Sequence, residues 1–240
     1  MPEYFIGTSG WHYDDWQGLF YPRYLSKSRW LEFYAQHFHT VELNNSFYRL
    51  PSEKAFANWR KGSPEGFIFA VKVSRFITHI KRLKTASEPL RNFLERADLL
   101  KDKLGPLLYQ LPPNMKRDNE RLEAFLSILP RRYRHVFEFR HESWFDDDIF
   151  KILKKYNTGF CIFDMPGLTS PAMATADFAY VRFHGSAGLY FSSYSDKELA
   201  TWAKRIANLS QNPKEVYIYF NNDIAGYAID NARTLMRLLL

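Results

Sequence analysis

The stretch Phe178-Ala179-Tyr180-Val181-Arg182-Phe183-His184 decides the fold. Residues two apart on an extended strand share a face, so Tyr180, Arg182 and His184 lie opposite Val181 and Phe183. A run this apolar belongs to a buried strand. Ionisable groups on its inward face cost free energy unless they are paired or used in chemistry. The same design recurs along the chain, where eight apolar runs carry a polar residue at or near their ends. In order these are Thr8, Glu42 with Asn44, Lys72, Gln110, Glu138 with Arg140, Asp164, Arg182 with His184, and Asn221. Eight strands converging polar tips on one place is the layout of a (β/α)8 barrel with its site at the C-terminal mouth.

The spacing predicts strands over 4–8, 40–44, 67–73, 106–110, 135–140, 159–164, 178–184 and 216–221. Amphipathic segments separate them, the rhythm of βα units around a parallel sheet. Helices are expected over 28–38, 88–103, 121–129, 147–156, 196–209 and 225–239, with Ser87 as a cap of the second and Ser195 or Asp196 as the cap of the fifth. Pro166, Gly167 and Pro171 follow the sixth strand, so its helix is weak or missing. The expectation is one α/β domain over 1–240, a TIM-barrel-like fold. At 240 residues, 46% hydrophobic and 25% charged, the chain has the size and core of a single barrel domain.

The net charge of +7 favours anionic partners, although the basic residues are scattered and no nucleic-acid tail is present. A single cysteine, Cys161, excludes an intramolecular disulfide and any CxxC zinc knuckle, and it lies in an apolar run as a small core residue. No run approaches the ~18 apolar residues of a membrane span, and Met-Pro-Glu-Tyr-Phe is no signal peptide. The simplest expectation is a soluble, cytoplasmic protein without membrane partners.

Glu42, Glu138 and Asp164 are candidate acids, bases or metal ligands, and Lys72, Arg140 and Arg182 are cations of the same expected ring. Cations beside a metal oppose its charge, and neither HExxH nor HxH occurs, so no cofactor is expected and a divalent metal is disfavoured. A mixed ring of carboxylates and guanidinium groups instead satisfies itself by charge-assisted hydrogen bonds and leaves a fork for an anion. The bland alternative is a set of structural ion pairs, Glu138 with Arg182 or Glu42 with Arg140. Lys72 forms a Schiff base if desolvated; an ion-paired lysine that orients substrate is the preferred reading. His184, at a strand end, suits proton transfer or a structural role equally.

The first strand runs into Gly7-Thr8-Ser9-Gly10-Trp11, which is neither a Walker loop nor a nucleophile elbow. Backbone amides at Ser9 are expected to face an anion. The aromatic residues Trp11, Tyr13, Trp16, Phe20 and Tyr21, with Tyr48, Trp144, Tyr190, Phe191 and Tyr194 on other loops, form either a stacking rim or a packed lid. Ser9 has no adjacent base in sequence, which argues against covalent serine catalysis.

Several segments together resemble the YecE-like family, a domain of unknown function (number 72). They are Gly7-Thr8-Ser9-Gly10-Trp11 with Phe20-Tyr21-Pro22, Thr40 to Asn44 with Ser46 to Pro51, Phe69 to Lys72 with Thr78-His79, and LLYQLPP from Leu107. The remainder are Glu138 to His141 with Ser143-Trp144, Arg182 to Gly185, and Tyr219 to Asn222. They occur in order along the whole chain. The resemblance implies a TIM-barrel-like fold and no established reaction.

The leading expectation is an enzyme acting on a small polar anion by hydrolysis or isomerisation. Lys72, Arg140 and Arg182 hold the anion; Glu42 or Glu138 acts as acid or base, supported by Asp164 and His184. Thr8, Ser9, Trp11, Asn44, Gln110 and Asn221 complete the binding set. One alternative is a nucleic-acid-processing or nucleic-acid-binding barrel, and another is a non-catalytic ligand-binding protein; fold does not choose among them.

Overall fold

The computed structural model describes residues 2–209 and 212–240. Strands β1 (Glu3–Thr8), β2 (Thr40–Leu43), β3 (Ile68–Lys72), β4 (Leu104–Gln110), β5 (His135–Glu138), β6 (Gly159–Met165), β8 (Phe178–Phe183) and β9 (Glu215–Phe220) form the barrel. Their order is β1-β9-β8-β6-β5-β4-β3-β2, and every neighbouring pair on that path is parallel. The two-residue strand β7 (Leu168–Thr169) only pairs back on β6 in a hairpin. The expected (β/α)8 layout is therefore present, each strand within a few residues of its predicted span.

Alternation sorts the core into two layers. Ala70, Leu108, Val136, Cys161, Phe178, Tyr180, Tyr217 and Tyr219 pack inside the barrel, whereas Phe69, Val71, Phe137, Ile162, Val181, Ile218 and Phe220 meet the helices. Both layers are dry and contiguous, which is what makes a polar tip on the inner face costly unless partnered.

The helices are α1 (Trp30–Tyr34), α2 (Asn45–Tyr48), α3 (Glu53–Gly62), α4 (Ser87–Ala97), α5 (Asn119–Ser127), α6 (Asp147–Lys155), α7 (Asp196–Ala207) and α8 (Tyr227–Leu239). Ser195 caps α7 in a full capping box with Glu198, as expected. Ser87 is instead the first residue of α4, after Ala86, which supplies no side-chain cap. The predicted 88–103 helix breaks into a 3-10 turn after Ala97, where Lys101 takes a left-handed conformation. The 28–38 segment likewise begins as a 3-10 turn and holds only one regular turn and a half of α-helix. Helix α3 was not foreseen, although Ala55, Phe56 and Trp59 give it a narrow apolar stripe and the Ser52 side chain caps it by accepting from Ala55 N; of these residues Phe56 alone is fully buried. No helix follows β6 before β8. Hydroxyls take its place there: Ser170 and Thr175 accept from the amides of Phe163 and Phe160.

The last seam lies between β1 and β2. A parallel bridge joins Ser9 to Glu42, and the buried hydroxyl of Tyr34 fills the gap below it, accepting from Thr8 N (3.0 Å) and donating to Thr40 O (3.1 Å). Gly7 makes room for this, since a Cβ there would lie 2.3 Å from Thr40 O. Replacing Tyr34 by Phe leaves the buried Thr8 amide without its acceptor, a loss of about 1–3 kcal/mol. Urea denaturation should therefore show a lower midpoint at an unchanged slope; an unaltered midpoint would mean that the hydroxyl does not hold the seam.

Candidate functional site

Arg182, from β8, sits at the centre of the barrel mouth with only 1% of its side chain exposed. Nη2 donates to Glu42 Oε1 of β2 (2.8 Å), and Nη1 donates to Glu138 Oε2 of β5 (2.6 Å). Two carboxylates on opposite sides of the barrel thus share one guanidinium. Glu42 is further held by Ser9 Oγ and Tyr180 Oη, each donating at 2.6 Å. Burial alone would raise the Glu42 carboxyl, but Arg182 and these hydroxyls hold it below its ordinary value. Burial acts the same way on Glu138, and Arg140 with Arg182 overrides it, leaving that carboxyl well below the usual range. Both are anions at neutral pH.

Arg140 lies just beyond β5. Its Nε donates to Glu138 Oε1, its Nη1 points at Met165 Sδ, and its Nη2 lies 2.9 Å from His184 Nε2. The guanidinium also covers the Phe163 ring, 5.1 Å from the centroid. His184 is fully buried; burial first, then the fields of Arg140 and Arg182, push it down to about 3. It is a neutral imidazole. Because arginine only donates, Nε2 is the acceptor toward Arg140; Nδ1 lies 3.1 Å from Asn221 Nδ2.

Lys72 closes the ring from β3. Its Nζ lies over the Phe47 ring, 4.3 Å from the centroid, and among the described residues no carboxylate pairs with it. The ion-paired lysine preferred from sequence is therefore not what forms: Glu42 and Glu138 are already taken by the two arginines. Burial first, and then Arg182, lower the amine to about 7 against the opposing pull of Glu138 and Glu42. His79, in the helical turn after β3, packs edge-on against the Phe47 ring at 5.0 Å and is lowered to about 4 by burial and by Lys72.

Of the other predicted site residues, Asn44, Gln110 and Asn221 are half-buried at the mouth, and Asn44 Oδ1 is a buried acceptor without a partner. Ser9 joins the network through its hydroxyl. Its backbone amide, expected to face an anion, instead donates to Phe220 O (2.8 Å). Three positions lie apart. Cys161 and Phe163 face inward on β6, so Asp164 faces away, and its carboxylate accepts from Thr169 Oγ1 in the hairpin (2.7 Å). Thr8 is turned to the seam, where its hydroxyl meets Gly10 O and Tyr34. Trp11 packs edge-on against Trp59 of α3.

The aromatic loop is a packed lid: Trp16, Phe20 and Tyr21 are buried, and Tyr21 stacks on Trp30 at 4.5 Å. Trp144 and Tyr194 are buried too, which leaves Tyr48, Tyr190 and Phe191 as the exposed rim. Tyr180, Cys161, Phe47, Phe163 and Met165 were not assigned to the site from sequence. Alternation from Arg182 marks Tyr180, and alternation from Cys161 marks Phe163 and Met165; nothing local in sequence marks Phe47. Among the described residues no three His, Cys, Asp or Glu side chains converge as a metal-ligand set.

Known proteins share this architecture. Residues 5–240 match the family model described as "Protein of unknown function DUF72". The UPF0759 protein YunF of Bacillus subtilis is 28% identical over 98% of this chain and 94% of its own. UPF0759 protein YecE of Escherichia coli K12 is 30% identical over 59% of this chain and 50% of its own. A crystal structure of a DUF72 family protein from Thermotoga maritima superposes with a TM-score of 0.89 at 33% identity, covering 99% of each chain. With its barrel and whole-length match, the chain belongs to the DUF72 family.

Proposed function

We propose that the barrel mouth is the active site of an enzyme, of hydrolase or isomerase type, that acts on a small polar anion. The observation that carries this reading is the charge balance of the ring. Two carboxylates, Glu42 and Glu138, are matched by two guanidinium groups, and the amine of Lys72 is left over. An anionic group bound there supplies the missing counter-charge. Arg140 adds a second cationic wall, and Asn44, Gln110 and Asn221 offer amides to hydroxyl or carbonyl groups of the ligand. In this reading Lys72 is the group that gains and loses a proton, since its titration falls near neutral pH. Glu42 and Glu138 hold the arginines in place, and neutral His184 orients Arg140 through its acceptor nitrogen.

Binding of the anion and protonation of Lys72 favour each other, so the two are linked. Titration calorimetry with phosphate or a small hydroxy acid at pH 7, in buffers of different ionisation enthalpy, should show uptake of a fraction of a proton. Lys72→Met should weaken binding by roughly tenfold or more, the loss of one charge-assisted contact. Equal binding by the variant removes Lys72 from the anion site.

Stability carries the same signature. The folded amine titrates at about 7, below the ~10.4 of an unfolded lysine. Between those values the unfolded chain holds one more proton, so stability rises with pH from 7 toward 10 and is flat below 7 on this account. Urea denaturation of wild type and Lys72→Met across pH 7–9 should diverge by up to about 1.4 kcal/mol per pH unit in favour of wild type as pH rises. Parallel curves would place the amine in water.

A second reading, nucleic-acid binding, is favoured by the exposed aromatic residues Tyr48 and Phe191 together with Arg49 and Arg75, exposed on the segments after β2 and β3. It requires affinity that falls steeply with salt, about 0.7 in log–log slope per phosphate contact for a single strand. A flat salt response excludes it.

A further inference from the structure

We propose that Lys72 forms a Schiff base with the carbonyl carbon of a small anion, a 2-oxo acid or a phosphorylated sugar of open-chain form. This deepens the anion reading above and rests on it. Three features of the mouth lead there. First, the amine has no carboxylate partner among the described residues to fix it as an ammonium ion; the carboxylates in reach are held by Arg182 and Arg140. Second, the Phe47 ring walls it at 4.3 Å, and the Arg140 guanidinium, held by Glu138 and His184, adds its positive field at the same mouth for the substrate's anionic group. Third, Asn44, just past the end of β2, has a buried Oδ1 with no partner among the described residues, an acceptor available to a hydroxyl or the carbinolamine O–H. Contrast Lys103, also buried, whose Nζ donates to Arg60 O, Ser63 O and Ser63 Oγ at 2.6–2.9 Å and has no lone pair to offer while so engaged.

The chemistry balances without a further reactant. The uncharged amine attacks the carbonyl carbon, a C–N bond forms, and the oxygen takes up the proton that the nitrogen sheds, giving a carbinolamine. The C–O bond then breaks, the oxygen leaves as water with one more proton, and the nitrogen lone pair closes the C=N bond. With that one proton drawn from solvent, the product is the iminium, which keeps the remaining N–H. Its positive charge occupies the place of the ammonium, opposite the anionic group of the substrate. The iminium also draws electrons from the neighbouring C–H bond, which is what an isomerase of oxo and hydroxy compounds needs. Field and burial favour the step: with the amine lowered to about 7, roughly half is uncharged at neutral pH, whereas an ordinary lysine is uncharged in fewer than about one molecule in a thousand.

The test is reductive trapping on the full chain. The protein is incubated at pH 7 with pyruvate, glyoxylate or dihydroxyacetone phosphate and reduced with borohydride, and adducts are mapped by peptide mass spectrometry. The expected result is one adduct per chain, at least about tenfold enriched at Lys72 over Lys103 and the exposed lysines, with yield rising through neutral pH. Pyruvate and glyoxylate against dihydroxyacetone phosphate tell a carboxylate from a phosphate anion. Adducts spread evenly over surface lysines, or none at Lys72, overturn the Schiff base. If trapping fails while Lys72→Met still weakens phosphate binding, the anion reading stands alone; if trapping fails and phosphate binding is unchanged in the variant, both fall.

Discussion

A guanidinium carried into the middle of a barrel must be neutralised there, and Arg182 is neutralised twice. Desolvating its charge costs several kcal/mol, and so does desolvating each carboxylate, so the three are tolerable only as a set with good geometry. Glu42 reaches it from β2 and Glu138 from β5, while Arg182 itself stands on β8. Those strands are far apart in sequence and on different walls of the barrel. The triad therefore demands that the walls stand at the right separation. A buried charge set of this kind adds little net stability over apolar packing, and removing one member is expensive because the others are left uncompensated. Its retention in a barrel otherwise filled with Tyr, Ala, Val and Leu calls for a use other than stability.

That use is electrostatic. With Arg182 and Arg140 fixed by the carboxylates, their residual field falls on the two groups that have no charge of their own to match it. Burial first, and then that field, push His184 neutral, an acceptor for Arg140, and bring Lys72 to where its proton is easily exchanged. The network thus separates roles among chemically similar residues. Glu42 and Glu138, which by residue type are the natural acids and bases, are locked as anions. The residue with a labile proton is the lysine, because it is buried beside Arg182 and among the described residues no carboxylate pairs with it.

Much of this was legible in the sequence, and the failures are physical rather than accidental. Alternation along 178–184 puts Tyr180, Arg182 and His184 on one face, and the barrel obeys it because slipping by one residue would turn Val181 and Phe183 into the polar interior. The same rule, applied to β6 from Cys161, turns Asp164 outward; reading it as a strand tip ignored its register. Thr8 and Ser9 are both expected at the mouth, and the same rule separates them: Thr8 faces the seam and the Ser9 hydroxyl stays at the mouth. Pairing within the ring is a different matter. Which carboxylate meets which cation depends on strand separation around a curved sheet, so sequence could offer Glu42 with Arg140 while the barrel joins Glu42 to Arg182. Helix α3 left only a short signal, because Ala55, Phe56 and Trp59 make a single narrow apolar face among charged neighbours.

Closure of the barrel and assembly of the site are one event in this chain. The bridge from Ser9 to Glu42 is both the upper stitch of the β1/β2 seam and a hydrogen bond within the Arg182 network. Directly beneath, Tyr34 and Gly7 bring the two strands close enough for that bridge to form. An open seam would move Glu42 away from Arg182 and release Tyr180, leaving a buried guanidinium with one carboxylate in place of two. The free energy of the ion network therefore pulls the last strands together, and the seam in turn sets the position of the carboxylate that keeps Lys72 without a partner. Seen this way, the unmatched amine is a product of barrel closure: the tighter the seam holds Glu42 to Arg182, the less negative charge remains for Lys72.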